Sequence, residues 1–153
     1  LDKISTEDRL RTFDSCFRSN HSTMMQPYPA YKRLHEMHET LRQRGEAELA
    51  YLSGQYLADL LVWYHLAWTG ESVRRSNETV VRLMTQGRGF SYSDRSQLLA
   101  VIGELIQGLI PRYRKLAESG QIELSTTPHY HPLAPLLIDF SSARDSMPSA
   151  NLS

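Results

Sequence analysis

The chain has 153 residues, and its 17 Lys and Arg side chains are balanced by 17 Asp and Glu, so the formal net charge at pH 7 is +0. This balance gives no general attraction for nucleic acid or an anionic membrane, and no apolar run approaches the roughly 20 residues that span a bilayer, so neither partner is expected. The single cysteine, Cys16, excludes an intrachain disulfide framework and indicates a reducing compartment, which predicts a cytoplasmic location.

The first predicted helix begins at Ser5, which is a good capping residue and has an acidic residue three positions later. Leu10, Phe13 and Phe17 then recur at helical spacing and predict one apolar face. Cys16 is interpreted as a small buried hydrophobic side chain. Residues 20–29 break the pattern with two prolines, so we expect a loop or an extended connector there.

Residues 30–44 predict a second helix with a narrow apolar stripe and many charged side chains, which places it at a surface. Its two histidines, His35 and His38, are most simply part of a solvated face. A third helix follows to about Trp68, where Thr69-Gly70 provides the usual glycine at a helix end.

The aromatic side chains of the third helix permit two interpretations. Trp63, Tyr64 and Trp68 lie on or near one helical face. Packing in the core is favoured, and stacking against a sugar ring is the less favoured alternative.

A short fourth helix is predicted over residues 76–86, and the Gly87-Arg88-Gly89 stretch ends it. That stretch is too short, and in the wrong context, for a phosphate-binding loop. The fifth and longest helix is predicted over residues 93–119, with Ser93 as its cap. Pro111 lies inside it, which predicts a kink near Gln107-Gly108.

After the long helix, the sequence changes character. Residues 121–125 alternate polar and apolar side chains and predict one short strand, which has no obvious partner strand in the chain. The sequence therefore predicts a mainly α fold, a multi-helix bundle with one short strand.

Polar side chains gather at the end of this strand: Glu123, Ser125, His129 and His131. Three interpretations compete. The first is an ordinary polar loop at a helix–strand junction. The second is a metal site formed by His129, His131 and Glu123, although His-x-His without a third ligand at firm spacing is a weak signal. The third is a site for carbohydrate or another polar substrate, in which Glu123 and His131 provide hydrogen bonds.

Residues 120–133, GQIELSTTPHYHPL, resemble a signature region of glycoside hydrolase family 57. Three other segments are similar to parts of that family: QPYPAY at 26–31, LLVWYHLAW at 60–68, and the turn and long helix that run from GRGFS at 87–91 to PRY at 111–113. One family motif, His-Gln-Pro, has no counterpart, because Met25 stands before Gln26-Pro27.

The resemblance implies a distorted (β/α)7 barrel with helical insertions that acts on α-glucans, namely starch, glycogen or maltooligosaccharides, by a retaining mechanism. Such a mechanism uses two carboxyl groups about 5 Å apart. The family's catalytic Glu and Asp motifs have no match in this chain, so the resemblance assigns no catalytic residue here. It implies a substrate-binding role for Glu123 and His131, and no metal or cofactor.

The same resemblance organises the chain as residues 1–119, a helical insertion, and residues 120–153, a barrel strand with a Pro-rich loop, together a single compact unit. The first residue, Leu1, and the loop-like last residues predict a fragment of a larger enzyme, inactive alone and a homodimer when isolated. The alternative is a noncatalytic helical module that binds another protein through its C-terminal strand.

Overall fold

The computed structural model describes residues 1, 3–127, 129–130, 132–149 and 151–152. In chain order, the α-helices within these residues are α1 Thr6–Cys16, α2 Pro29–Arg42, α3 Gly54–Trp68, α4 Glu71–Ser76, α5 Glu78–Gln86, α6 Tyr92–Glu118, α7 Ala134–Ile138 and α8 Ala143–Ser146. Shorter helical turns are the π-helix His21–Met25 and the 3-10 helices Glu46–Tyr51 and Phe140–Ser142. The predicted mainly α fold is confirmed. No helix among the described residues is both long and apolar enough to cross a membrane.

The ends of the early helices follow local side-chain chemistry. Ser5 caps α1 as predicted, because its hydroxyl accepts the Asp8 backbone N–H. The predicted loop at 20–29 is more ordered than expected, since the Asn20 side chain accepts the N–H groups of Ser22 and Thr23 and starts the π-helical turn. Helix α2 ends at Arg42, two residues before the predicted end.

Two later helix starts differ from the prediction. Gly70 does not simply follow α3, because it is the N-cap of α4, a short helix that the sequence did not predict. Helix α6 starts before Ser93: the Ser91 hydroxyl accepts the Asp94 N–H, and the Asp94 carboxylate accepts the Ser91 N–H. This reciprocal pair is a capping box, so Ser91 and not Ser93 caps the helix.

Helix α3 is the centre of the core. Helices α1 and α2 both pack against it, and every residue from Tyr56 to Val62 is buried except Leu61, which is half-buried. The other large buried side chains come from α1, α2, α5, α6 and the connecting turns: Phe13, Met25, Tyr31, Leu49, Leu52, Val80, Leu83, Phe90 and Leu98. Trp63 is buried as predicted for core packing, whereas Trp68 is 58 % exposed and lies outside the core.

The chain divides into two compact units, residues 1–107 and residues 108–153. The division falls inside α6, between Gln107 and Gly108, where the sequence predicts a kink before Pro111. The kink itself and the division of the chain at residue 120 stay predictions. Within the described part of the second unit no side chain is buried.

The predicted strand over residues 121–125 does not form. Residues 122–127 have no regular secondary structure, and no strand occurs in any described segment. A strand requires backbone hydrogen bonds to a second strand, and the helices of this chain offer no sheet edge for it to join.

Candidate functional site

The two predicted substrate-binding residues are not brought together by the described structure. Glu123 lies in the irregular segment after α6 with its side chain exposed, and that side chain makes no hydrogen bond or ion pair with a described residue. His131 falls outside the described residues. His129 is exposed, and its ring lies 4.0 Å from that of Tyr130, measured between centroids. The assignments of Glu123 and His131 therefore stay predictions.

The most ordered polar cluster in the first unit surrounds Asp59, a buried carboxylate on α3. It accepts the backbone N–H groups of Gly89 at 3.0 Å and Phe90 at 2.9 Å, and the Gln55 side-chain amide at 2.8 Å. The Trp63 indole N–H donates to the Gly87 carbonyl at 2.7 Å. Helix α3 thus holds the loop between α5 and α6 at both ends of its Gly87-Arg88-Gly89 stretch.

The conformation of this loop explains its two glycines. Gly87 and Gly89 have φ angles of 75° and 72°, in the left-handed region that other residues enter only at a cost. Arg88 lies between them and its side chain is exposed. The loop therefore presents one arginine from a backbone that is fixed on either side.

A second buried carboxylate, Asp94, follows the same loop. It accepts hydrogen bonds from the Ser91 N–H at 2.9 Å, the Ser91 hydroxyl at 2.8 Å and the Arg82 guanidinium at 2.8 Å. The Ser91 backbone hydrogen bond, followed by those from the Ser91 hydroxyl and Arg82, holds the pKa of Asp94 far below its usual range. Asp94 stays ionised and cannot donate a proton to a substrate near neutral pH.

Neither of these two carboxylates is free to act as a catalytic group. Retaining hydrolysis requires one carboxylate that is free to attack and one carboxyl group that can give up a proton. The oxygens of Asp59 and Asp94 are instead engaged in holding the loop and the first turn of α6. Both are structural groups.

Beside the loop lies a surface cavity of about 320 Å³, between α2, the start of α3 and Gly87-Arg88. Leu34 and Met37 of α2 provide apolar wall, and Tyr56 is fixed by a 2.6 Å hydrogen bond from its hydroxyl to the Leu34 carbonyl. Two arginines, Arg33 of α2 and Arg88 of the loop, also line the cavity.

A second cluster joins three histidines, His21 of the π-helical turn and His35 and His38 from the middle of α2. The ring of His35 lies 4.7 Å from that of His21 and 5.0 Å from that of Phe17, and the ring of His38 lies 4.9 Å from that of Phe17. The prediction of a solvated face is wrong for His38, which is 4 % exposed, because α1 packs over it. Burial lowers the pKa of both His35 and His38.

The part of the chain that the structure describes holds no group of three or more His, Cys, Asp or Glu side chains placed to bind a metal ion. The metal interpretation included His131, which lies outside these residues, so it stays a prediction.

Sequence reasoning missed the Asp59 cluster, although one signal was present. Asp59 is the only charged residue in the otherwise apolar run LADLLVW at residues 57–63. A lone charge on the buried face of a helix must be hydrogen-bonded, and the turn at Gly89-Phe90 supplies the two backbone N–H groups that bind it.

Comparison with known proteins gives one match. The family model described as glycosyl hydrolase family 57 matches residues 4–149, nearly the whole chain. Comparison with curated proteins and with solved structures gives no match. The matched segment includes α1 to α8 and the residues 120–133 whose resemblance the sequence indicated. The chain therefore belongs to glycosyl hydrolase family 57, a family of glycoside hydrolases.

Proposed function

We propose that this chain is the helical part of an enzyme that hydrolyses or rearranges α-glucans, such as starch, glycogen or maltooligosaccharides, with retention of configuration. The observation that carries the proposal is the family match over residues 4–149. The α-glucan substrate and the retaining mechanism follow from the family resemblance of residues 120–133.

In the complete enzyme, residues 121–125 form a strand of the barrel and pair with strands contributed by other parts of the protein. Their lack of secondary structure here supports this view, because a single strand has no ladder to join. Glu123 and His131 then line the substrate site and position the glucan without being the nucleophile or the acid.

The chain alone does not hydrolyse α-glucans. Asp59 and Asp94 are held by backbone N–H groups, and Glu123 is exposed without a described carboxylate partner. A retaining site requires two carboxyl groups at a fixed separation of about 5 Å, which a single glutamate does not provide.

The test measures reducing-end release from maltoheptaose by the purified chain and by its Glu123→Gln variant. The expected result is no release above the buffer blank for either protein. Turnover by the wild-type chain that disappears in Glu123→Gln would make Glu123 catalytic and overturn the proposal.

The α-glucan assignment is tested in the complete enzyme. There we expect hydrolysis or transfer on maltooligosaccharides, with the α-anomer formed first in a time-resolved NMR spectrum. Glu123→Gln and His131→Ala are expected to lower kcat/KM, because each removes a hydrogen bond that positions the substrate. A β-anomer as first product, or no activity on any α-glucan, would contradict the assignment.

A second function is favoured by one observation: large apolar side chains are exposed in the second unit, including Leu137 and Ile138. This is the pattern of a surface that docks onto another protein. A noncatalytic interaction module is therefore the alternative, and it requires that the complete protein lacks glucan-hydrolysing activity while binding a protein partner through residues after 120.

A further inference from the structure

The cavity between α2, α3 and the Gly87-Arg88 loop has a charge pattern that the proposed hydrolase function does not use. Arg33 and Arg88 line it, and neither guanidinium group makes an ion pair or a hydrogen bond with any described residue. Most other arginines of the first unit have such partners: Arg9 with the Leu52 carbonyl, Arg11 with Glu7, Arg42 with Glu39, Arg74 and Arg75 with Glu71, and Arg82 with Asp94.

The acidic groups near the cavity offset the positive charge of the two guanidinium groups only in part. Asp59 also lines it and contributes one negative charge, while its oxygens accept the N–H groups of Gly89 and Phe90 and the Gln55 amide. Glu36, one turn along α2, is paired with Lys32 at 3.6 Å. The lining of the cavity therefore keeps a net positive charge, which attracts an anionic ligand.

The backbone that carries Arg88 is fixed before any ligand binds. The Trp63 indole N–H holds the Gly87 carbonyl, and Asp59 holds the N–H of Gly89. Arg33 projects from the middle of α2, a regular helix. Groups on rigid elements lose less entropy on binding, so the same contacts give tighter binding.

The walls indicate what kind of ligand this positive charge receives. A neutral sugar ring is commonly recognised by stacking on an exposed aromatic face, and the one aromatic side chain of the described lining, Tyr56, is buried with its hydroxyl engaged. Planar guanidinium groups match the oxygens of phosphate, which carries about −1.5 to −2 charge at pH 7. The two arginines outnumber the single carboxylate of the lining and can pair with the phosphate oxygens, and Leu34 and Met37 provide an apolar wall for the uncharged part of the ligand.

We propose that this cavity binds the phosphate group of a small phosphorylated molecule through the Arg33 and Arg88 side chains. The binding is made by side chains, so it does not need the longer glycine-rich backbone loop that the sequence lacks. The volume of about 320 Å³ lies at the lower end of the range for small-molecule sites and suits a ligand the size of a sugar phosphate. The proposal is independent of the glycosidase assignment.

The experiment titrates the full chain with inorganic phosphate, glucose 6-phosphate and glucose at constant ionic strength, followed by ¹H–¹⁵N NMR. Both phosphates are expected to shift the amide signals of Arg88 and Gly89 saturably, and glucose is not. Arg33→Gln and Arg88→Gln are each expected to weaken phosphate binding about tenfold, because each removes a charge-assisted hydrogen bond.

Arg44→Gln is the matched control, because Arg44 is exposed, has no side-chain partner among the described residues and does not line the cavity. It is expected to leave the affinity unchanged. Equal weakening by Arg44→Gln would indicate general charge attraction and overturn the proposal. Shifts that are as large with glucose as with its phosphate, or signals that do not move with either phosphate, would overturn it as well.

Discussion

Residues 1–107 and residues 108–153 differ in what their apolar side chains touch. Every described buried side chain lies in the first unit, between Phe13 and Leu98. In the described part of the second unit many large apolar side chains are exposed, among them Leu109, Ile110, Leu133, Leu137, Ile138 and Phe140. The first unit thus has its own hydrophobic core, whereas the second exposes apolar surface of the kind that binds another protein surface.

The family match and the hydrophobic core therefore cover different parts of the chain. The family match runs through both units, whereas the core lies in one. In the proposed complete enzyme, we expect a barrel to cover the apolar side chains of the second unit. The isolated chain has to cover them in another way or leave them in water.

The strongest test of the comparison is the mass of the isolated chain. We predict that the 153-residue protein forms a homodimer at tens of micromolar, because exposed apolar patches associate. A chain ending at Ser119 lacks α7 and its exposed leucine and isoleucine and is expected to associate less. Light scattering measures both masses, and monomers in both samples would contradict the prediction.

The free energy of unfolding should depend on apolar side chains of the first unit and much less on those of the second. Leu60→Ala removes a fully buried side chain from α3 and is expected to lower the free energy of unfolding by about 2–5 kcal/mol. The matched control Ile138→Ala removes a side chain that is 87 % exposed and should change it by less than about 0.5 kcal/mol. Urea denaturation followed by circular dichroism measures both, and equal losses would contradict the comparison.

A smaller effect is expected at the loop that Asp59 holds. Gly87→Ala should destabilise the protein by about 1–2 kcal/mol, because the φ of 75° is strained for alanine even though the nearest atom to the added methyl is the Thr85 carbonyl oxygen at 4.0 Å. Gly103→Ala is the control, since Gly103 lies inside α6 without a positive φ and has open space around it. The measurement is the melting temperature of each variant. Equal changes in the two variants would contradict a role for backbone strain at Gly87.

The smallest predicted effect is on pH dependence. Burial lowers the pKa of His38 below 6.5, with Glu39 opposing this, and His35 and His65 shift in the same direction. Below about pH 6.5 the unfolded chain therefore binds more protons than the folded one, so the free energy of unfolding falls as pH drops until the folded pKa is passed. Asp14, Glu39 and Arg42 are the charged groups around His38.

The measurement is the slope of unfolding free energy between about pH 7.5 and pH 5, the window in which histidines titrate. His38→Gln should reduce this slope, and His129→Gln, which alters an exposed ring in the second unit, should leave it unchanged. A slope that is the same in wild type and His38→Gln would show that the buried imidazole contributes nothing to it.

The sequence predicted what depends on local pattern. Ser5 and Gly87 mark helix ends through capping and left-handed geometry, which are decided within a few residues. The sequence predicts Ser93 as the cap of α6. Ser91 is an equally good capping residue, and the reciprocal bonds with Asp94 select it.

The features that were missed depend on residues distant in sequence. His38 is buried because α1 covers it, and a polar helix pattern contains no information about that neighbour. Asp59 meets Gly89 and Phe90 across 30 and 31 positions, which no local rule can pair. The strand at 121–125 was predicted from its alternation, but pairing decides whether a strand forms.

The buried Cys16 gives the molecule a built-in chemical reporter. Its side chain is 2 % exposed in the core, the Tyr31 hydroxyl donates to its carbonyl, and burial raises the pKa of its thiol to about 12. A thiol reagent in neutral solution can react only with molecules in which α1 has moved away from α2 and α3. Since Cys16 is the chain's only cysteine, the rate of its modification reports how often the core opens around this one side chain, and no label has to be introduced.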